Sequence, residues 1–296
     1  VVTENAYHGI SEAVACFSPS LGKAVDLGLH VRTVPAPDAY RTGGGDVGKT
    51  FTADVEAAVA DLRRHGIKPA ALIVDTLFTS DGVLPGPRGF LAGAVDAIHA
   101  AGGIFVADEV QPGFGRTGEA MWGFQRHGVV PDLVTLGKPM GNGHPVSAVV
   151  MRPEVCDEFG RKARYFNTFG GNAVSCAAAM AVLRTIEEDG LMANSAAVGG
   201  YLLEGIYRIS AGHDAVGEVR GAGLFIGAEI VTDSASRAPD RQRASLIVNR
   251  MRDLGVLISV TGKFHNALKI RPPLVFTQAN ADRFVAVMDE ALTTTD

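Results

Sequence analysis

Within residues 103–143, two short apolar runs each deliver one charged side chain at their C-terminal end. Ile104-Phe105-Val106-Ala107 runs into Asp108, and Leu133-Val134-Thr135-Leu136 runs into Gly137-Lys138. If both runs are strands of one parallel sheet, the acid and the amine emerge at the same edge, where open α/β sheets bind their ligands. A lysine so placed can hold an aldehyde as a Schiff base, and an acid can keep a ring nitrogen protonated so that the ring accepts electrons. Taken singly, neither residue compels that reading. A lysine in a Gly/Pro loop is usually solvated, and an Asp at a strand end is commonly a turn former or an N-cap. Lys138 precedes Pro139, which disfavours the right-handed helical region and puts the lysine on an extended segment or a turn. Gly137, Gly141 and Gly143 let backbone pack closely around a bulky ligand.

The elements that must position this pair read as an α/β chain. Val1-Val2-Thr3 reads as the tail of a strand, and residues 19–48, broken by Pro35, Pro37 and Gly43-Gly44-Gly45, read as surface loops. Thr52-Ala53-Asp54 offers N-cap chemistry for a helix ending near His65-Gly66, with Val55, Ala58, Val59 and Leu62 at helical spacing. Residues 70–75 form a continuous apolar run, as in a parallel strand covered on both faces. A helix over 90–101 closes at Gly102-Gly103. This alternation predicts right-handed crossovers and a mostly parallel sheet with helices on both faces.

Further along come a strand over 146–151, a charged helix over 153–162 and a polar, glycine-bearing loop over 165–172. A helix over 173–189, apolar on nearly all sides, is expected to be buried. Gly190 ends it and marks the boundary between a large unit, 1–190, and a smaller C-terminal α+β unit, 191–296. The smaller unit reads as strands at 216–223, 224–230, 256–258 and 268–270, with helices at 240–254 and 280–292.

Composition narrows the partners. The 296 residues suffice for about two domains, and 47% hydrophobic with 20% charged residues is ordinary for a globular chain. A net charge of -5 gives no reason to expect nucleic acid or an anionic membrane as a partner. Cys16, Cys156 and Cys176 are odd in number and lack a C-x-x-C pattern, so neither a disulfide framework nor a metal is expected, and a reducing cytoplasm fits. No apolar run approaches the roughly 20 residues needed to span a bilayer, and residues 1–5 lack a basic segment followed by an apolar one. Neither export nor membrane attachment is expected.

Three long stretches carry a family resemblance: VADEVQPGFGRTG at 106–118, LVTLGKPMGNGHPVSAVV at 133–150 and YFNTFGGNAVSCAAAMAVL at 165–183. Together they resemble the class III pyridoxal phosphate aminotransferases, the ornithine and 4-aminobutyrate aminotransferase group, and the resemblance runs from Tyr7-His8-Gly9 to the final helix. GKPMGNGHPV, YFNTFGGN and VRGAGLFIGAEI look closest to the alanine-glyoxylate type and its phospho-lyase relatives, which act on ethanolamine phosphate and phosphohydroxylysine. The resemblance implies the fold type I architecture of pyridoxal phosphate-dependent transferases. It implies Lys138 as the Schiff-base lysine and proton-moving base, Asp108 as partner of the pyridinium nitrogen, and Gln111 near the ring's phenolic oxygen. Tyr7 of the Tyr7-His8 pair would stack on the ring, with His8 counted among the cofactor-binding residues. Thr168 would reach the cofactor phosphate of a neighbouring subunit, which implies a homodimer with shared sites. Arg271 would fork onto a substrate carboxylate, as a planar guanidinium can. Without the resemblance, Tyr7 reads as a buried aromatic, Gln111 as a turn residue, Thr168 as a helix-start residue and Arg271 as a strand-end surface residue.

The expected activity is amino-group transfer between an amino acid or amine and a keto acid. The alternatives are a phospho-lyase acting on a phosphorylated amine and a non-catalytic truncated relative. The last is motivated by a departure: the family's N-terminal segment and Gly-Ser-bearing phosphate loop have no match here, so part of the large domain is expected to be missing. A second departure is Asp75, where many relatives carry Glu.

Overall fold

The computed structural model describes residues 1–295; Asp296, the last residue of the expected C-terminal unit, lies outside them. Val2–Thr3 (β1) pairs in parallel with Thr33–Val34 (β2), and a short helix, Glu12–Ala15 (α1), lies between them. Segment 19–48 is therefore more than loop. It carries β2, a helical turn at Ala39–Thr42 (α2) and the start of Val47–Arg64 (α3). This helix begins ahead of Thr52, because Asp46 caps it: its carboxylate accepts the Lys49 N–H at 3.0 Å. Buried Phe51 extends the stripe formed by Val55, Ala58, Val59 and Leu62. Gly48, a poor helix former, hid that first turn from a reading of periodicity.

The central sheet follows the expected alternation. Ala71–Asp75 (β3) leads through Ala92–Ala100 (α4) to Ile104–Asp108 (β4), and then come Leu133–Leu136 (β5) and Ala148–Met151 (β6). The strand order is β3-β4-β5-β6; the first three run parallel, and β6 is antiparallel to β5. Phe105, Ala107, Leu72 and Val74 of these strands join Phe51, Val55, Leu91, Ala94 and Ile98 in one buried cluster. That packing fixes where the C-terminal ends of β4 and β5 emerge.

Pro153–Lys162 (α5) and Ala173–Glu188 (α6) stand where the sequence put them, but α6 is not buried. Only Ser175, Ala179 and Ile186 are, while Val174 and Met180 are 69% and 47% exposed. The helix packs on the 138–141 turn and on the following helix with one side, so its remaining apolar side lies on the surface.

That following helix, Leu191–Ser210 (α7), has no counterpart in the sequence reading. Its small residues and Gly199-Gly200 dilute the apolar period. Gly199 is there for contact: a Cβ on it would lie 2.2 Å from the carbonyl carbon of Gly223. Val216–Ala222 (β7), Phe225–Ile230 (β8), Arg241–Asp253 (α8), Ser259–Thr261 (β9), Ala267–Ile270 (β10) and Gln278–Thr293 (α9) complete the chain. Their antiparallel sheet has the order β7-β8-β10-β9. The strand expected at 256–258 is displaced, since hydrogen-bonded pairing with β10 falls on Ser259–Thr261. Leu202, Ile206, Ile226, Ile247, Leu268 and Met288 anchor a second cluster, formed within residues 198–292. No helix among the described residues is long and apolar enough to cross a membrane.

Candidate active site

Asp108 ends β4 and Lys138 follows β5, adjacent parallel strands with Asp108 in register with Thr135. The acid and the amine thus leave the sheet at one edge. Asp108 is buried, at 6% exposure. Its Oδ2 lies 2.8 Å from Nδ1 of His8, and its Oδ1 accepts the Val110 N–H at 3.1 Å. A carboxylate accepts, so Nδ1 of His8 carries the proton. The His8 backbone N–H donates to Ser18 Oγ at 3.0 Å, and its ring centroid lies 6.1 Å from that of Phe17.

Lys138 opens a tight 3-10 turn, Lys138–Gly141, with φ at 25°. Of the two conformations open to a residue before proline here, it takes the turn. A positive φ in a non-glycine residue is a strained state that surrounding structure must hold. Its Nζ lies 5.7 Å from the centroid of the Tyr7 ring. The amine, the aromatic face and the His8–Asp108 pair therefore share one region.

Gln111 and Arg271 arrive from opposite halves of the chain and meet: an Arg271 Nη1 hydrogen bond is accepted by Gln111 Oε1. Arg271 follows β10, with its guanidinium 6.0 Å from the Phe225 ring centroid. Two residues earlier on the same strand face, Lys269 Nζ sits 5.5 Å from that same centroid. Burial pulls the Lys269 ammonium down to about 8, and the nearby Arg271 and Lys138 cations add to the pull against Asp75. No carboxylate or hydrogen-bond acceptor among the described residues pairs with Lys269. It is a candidate site residue that sequence reasoning missed, and its two-residue spacing from Arg271 at the end of β10 was the available signal.

Two further acids stand behind the site. Asp75 ends β3, and its carboxylate accepts the Leu77 and Thr79 N–H groups at 3.0 and 3.1 Å, together with the Thr79 hydroxyl. Glu109 is fully buried and accepts from Gly123 N–H at 2.7 Å, Phe124 N–H at 2.9 Å and the Thr76 hydroxyl at 3.2 Å. Burial pushes its carboxyl up to about 7. Glu109 braces the 109–124 loop, whereas Asp108 beside it faces the site.

The structure thus brings together Tyr7, His8, Asp108, Gln111, Lys138 and Arg271. Thr168 stands apart, on the fully exposed loop 163–172, where Asn167 Oδ1 accepts the Phe169 and Gly170 N–H groups. No hydrogen bond among the described residues joins Thr168 to the others.

Comparison with known proteins bears on this arrangement. The family model "Aminotransferase class-III" matches residues 1–292. The alanine–glyoxylate aminotransferase 2-like protein of Drosophila melanogaster is 41% identical over 309 residues, covering 99% of this chain and 62% of that protein. Ethanolamine-phosphate phospho-lyase homolog 1 of Caenorhabditis elegans is 34% identical over 312 residues, covering 99% and 67%. The solved structure of a phospholyase from Arthrobacter in complex with phosphoethanolamine superposes with a TM-score of 0.94 at 42% identity, covering 99% of this chain and 70% of that one. The chain therefore spans about three fifths to two thirds of the length of these curated relatives.

Proposed function

The chain belongs to the class III aminotransferase family, and from that premise we propose that the whole protein moves an amino group between an amino acid or amine and a keto acid. The family is pyridoxal phosphate-dependent, and the donor set here fits that cofactor. A lysine amine lies beside an aromatic face, and a buried carboxylate at the same sheet edge has an imidazole behind it. When bound, the cofactor supplies an aldehyde that takes up an amine and a ring that accepts electrons. Lys138 would hold it and then carry the proton at Nζ, Asp108 would face its ring nitrogen, Tyr7 its ring face and Gln111 its phenolic oxygen. The Arg271 guanidinium suits a carboxylate of the amino or keto acid.

The observation that carries this reading is the shared edge of Asp108 and Lys138, with the Tyr7 ring centroid 5.7 Å from Lys138 Nζ and His8 hydrogen-bonded to Asp108. It predicts a visible absorbance band in the full-length protein that Lys138→Ala abolishes, along with amino transfer. A band and half-reactions that survive in Lys138→Ala would remove the lysine from its role.

A second reading is favoured by Lys269. Two cations at the end of β10, neither paired with a carboxylate among the described residues, suit a doubly charged anion better than a single carboxylate. That supports elimination of phosphate from a phosphorylated amine, in which a carbon–oxygen bond breaks and inorganic phosphate leaves. Phosphate release from phosphoethanolamine without any keto acid would establish elimination; strict dependence on a keto acid would establish transfer.

The apolar side of α6 and the neighbouring Phe166 and Phe169, 79% and 78% exposed, support a homodimer in which Thr168 serves the neighbouring site. Sedimentation of Phe166→Asp against the parent tests it: loss of dimer supports the assignment, an unchanged state opposes it. The three unpaired cysteines support a reducing, cytoplasmic location, which cell fractionation tests.

A further inference from the structure

Arg271 opens a segment with little means of holding its own backbone in place. Past β10 the chain reads Arg271-Pro272-Pro273-Leu274, and two residues without a backbone N–H cannot extend the pairing with β8, which stops at Ile270. Leu274 and Phe276 pack partly against the C-terminal core, whereas Arg271, Pro273 and Val275 are exposed. The segment's carbonyls are instead held by side chains from elsewhere in the chain. Arg116 Nη1 donates to the Pro272 carbonyl, one residue past Arg271, and to the Leu224 carbonyl at 3.2 Å. Asn194 Nδ2 donates to the Leu274 and Phe276 carbonyls at 2.7 and 3.0 Å.

These two donors are braced against each other. Ser195, next to Asn194 on α7, donates its hydroxyl to the Arg116 carbonyl at 2.7 Å and accepts the Leu224 N–H at 3.1 Å. The backbones meet closely there: a Cβ on Gly118 would lie 2.4 Å from the Ala196 nitrogen, and one on Gly223 would lie 2.4 Å from the Thr117 carbonyl carbon. Arg116 also belongs to the loop that carries Gln111, whose Oε1 accepts the hydrogen bond from Arg271. That loop therefore grips Arg271 twice, its guanidinium through Gln111 and the backbone just past it through Arg116. No carboxylate among the described residues pairs with Arg116, so its hydrogen bonds go to carbonyls alone.

We infer that Arg116 and Asn194 are positioning residues for Arg271, and that by holding the carbonyls of residues 272, 274 and 276 they preset its guanidinium for the acid group of a carboxylate-bearing substrate. A binding group fixed in advance has less to order when the ligand arrives. The pair thus governs which amines the site prefers, and it leaves the reacting atoms untouched. The selectivity rests on reading Arg271 as the carboxylate-binding residue, whereas the bracing is a property of these side chains.

The test uses the full-length, cofactor-loaded protein and two amino donors, an amino acid and an amine of similar size without a carboxylate. Arg116→Met and Asn194→Leu should each raise KM for the amino acid on the order of 10- to 10²-fold, while KM for the amine and kcat for both donors stay near the parent's. No rise, or an equal rise for both donors, overturns the role. So does a rise confined to Arg116→Met, because the charge of Arg116 would then be acting without the segment. Should Arg116→Met fail to fold, the same contrast in Asn194→Leu decides. A readout without turnover is the ¹⁵N–¹H signal of Arg271 Nε, identified by its loss in Arg271→Gln, in cofactor-free full-length protein titrated with propionate. Both variants should weaken propionate binding about tenfold or more. Unchanged affinity, or a parent signal that ignores propionate, overturns the proposal. If binding weakens as expected in a full-length protein that transfers no amino group, the proposed function fails and the positioning role stands.

Discussion

Asp75 and Asp108 are register partners on neighbouring parallel strands, two carboxylates side by side at one sheet edge. Like charges so placed raise each other's cost of ionisation. For Asp75, burial is the largest upward push on the carboxyl; Asp108 adds to it, and hydrogen bonds from Thr79 and the Leu77 N–H oppose it. Asp108 instead has an imidazole behind it. The pair is thereby divided: Asp75 is tied into its own loop by neutral donors, and Asp108 faces the site with a partner that can take or give a proton.

That division predicts unequal mutants. In full-length protein, Asp108→Asn should lower kcat/KM on the order of 10²–10³-fold, the loss usual when a fixed electrostatic partner of the reacting group is removed. Asp75→Asn keeps an oxygen that can accept from Leu77 and Thr79, so it should cost far less. Steady-state kinetics of both variants on one substrate pair checks this. An equal loss in the two would mean the carboxylates act as a unit.

Lys269 predicts a pH dependence of anion binding. Its pKa, pulled down to about 8, leaves the ammonium charged below that value and neutral above it. Inhibition by inorganic phosphate should be strongest below pH 8 and weaken above it, approaching about tenfold per pH unit. Lys269→Met should bind phosphate weakly throughout and flatten the profile. If the parent profile is already flat from pH 7 to 9, Lys269 does not face the anion.

The site was legible where chemistry sits at strand ends. Asp108 and Lys138 follow short apolar runs, and period and position sufficed to put them on one edge. Lys269 was not legible, because what sets it apart is a buried ammonium with no hydrogen-bond partner among the described residues, a property of three-dimensional neighbours. The Thr3–Asp81 hydrogen bond likewise joins the N-terminal segment to a loop after β3 and leaves no local trace. Of the fold, β3, β4, β5 and α9 were readable from apolar runs and caps. The helix α7 was not, because close packing against Gly223 selects small residues that erase the periodic signal. The surface position of α6 could not be read either, since an all-round apolar helix looks the same whether its second face meets its own chain or another.

Gly199 and Gly200 give a test of that packing from adjacent positions in α7. A Cβ at Gly199 would collide with the Gly223 backbone at 2.2 Å, whereas one at Gly200 meets nothing within 4 Å. Gly199→Ala should destabilise by about 1–3 kcal/mol through overpacking, despite alanine's better helix propensity. Gly200→Ala should be neutral or stabilise by up to about 1 kcal/mol. Thermal unfolding of both variants measures the contrast, and equal melting temperatures would show that the helix does not approach Gly223 this closely.

His127 predicts how stability falls in acid. It is 3% exposed, its ring meets Phe90 edge-on at 4.8 Å between centroids, and its Nε2 lies 3.2 Å from the Thr76 carbonyl oxygen. Burial lowers its pKa from 6.5 to about 4, with Arg126 helping and the Thr76 carbonyl opposing. Below pH 6.5 the unfolded chain takes up a proton here that the folded chain refuses. The contribution is therefore complete above 6.5 and is lost as pH falls toward 4, in all on the order of 3 kcal/mol. Glu109 and Asp81 tilt the curve the other way, since their folded values near 7 lie above their ordinary ones of 4.5 and 3.8. Their contribution is full at low pH and declines as pH rises through 7. A raw stability curve mixes both slopes, so the informative quantity is the difference between the parent and His127→Gln in urea unfolding from pH 7 to 4. The variant should be weaker at pH 7, where it loses packing against Phe90, and the gap should close as the pH drops. A gap that stays constant across that range would show that His127 is not held neutral by its burial.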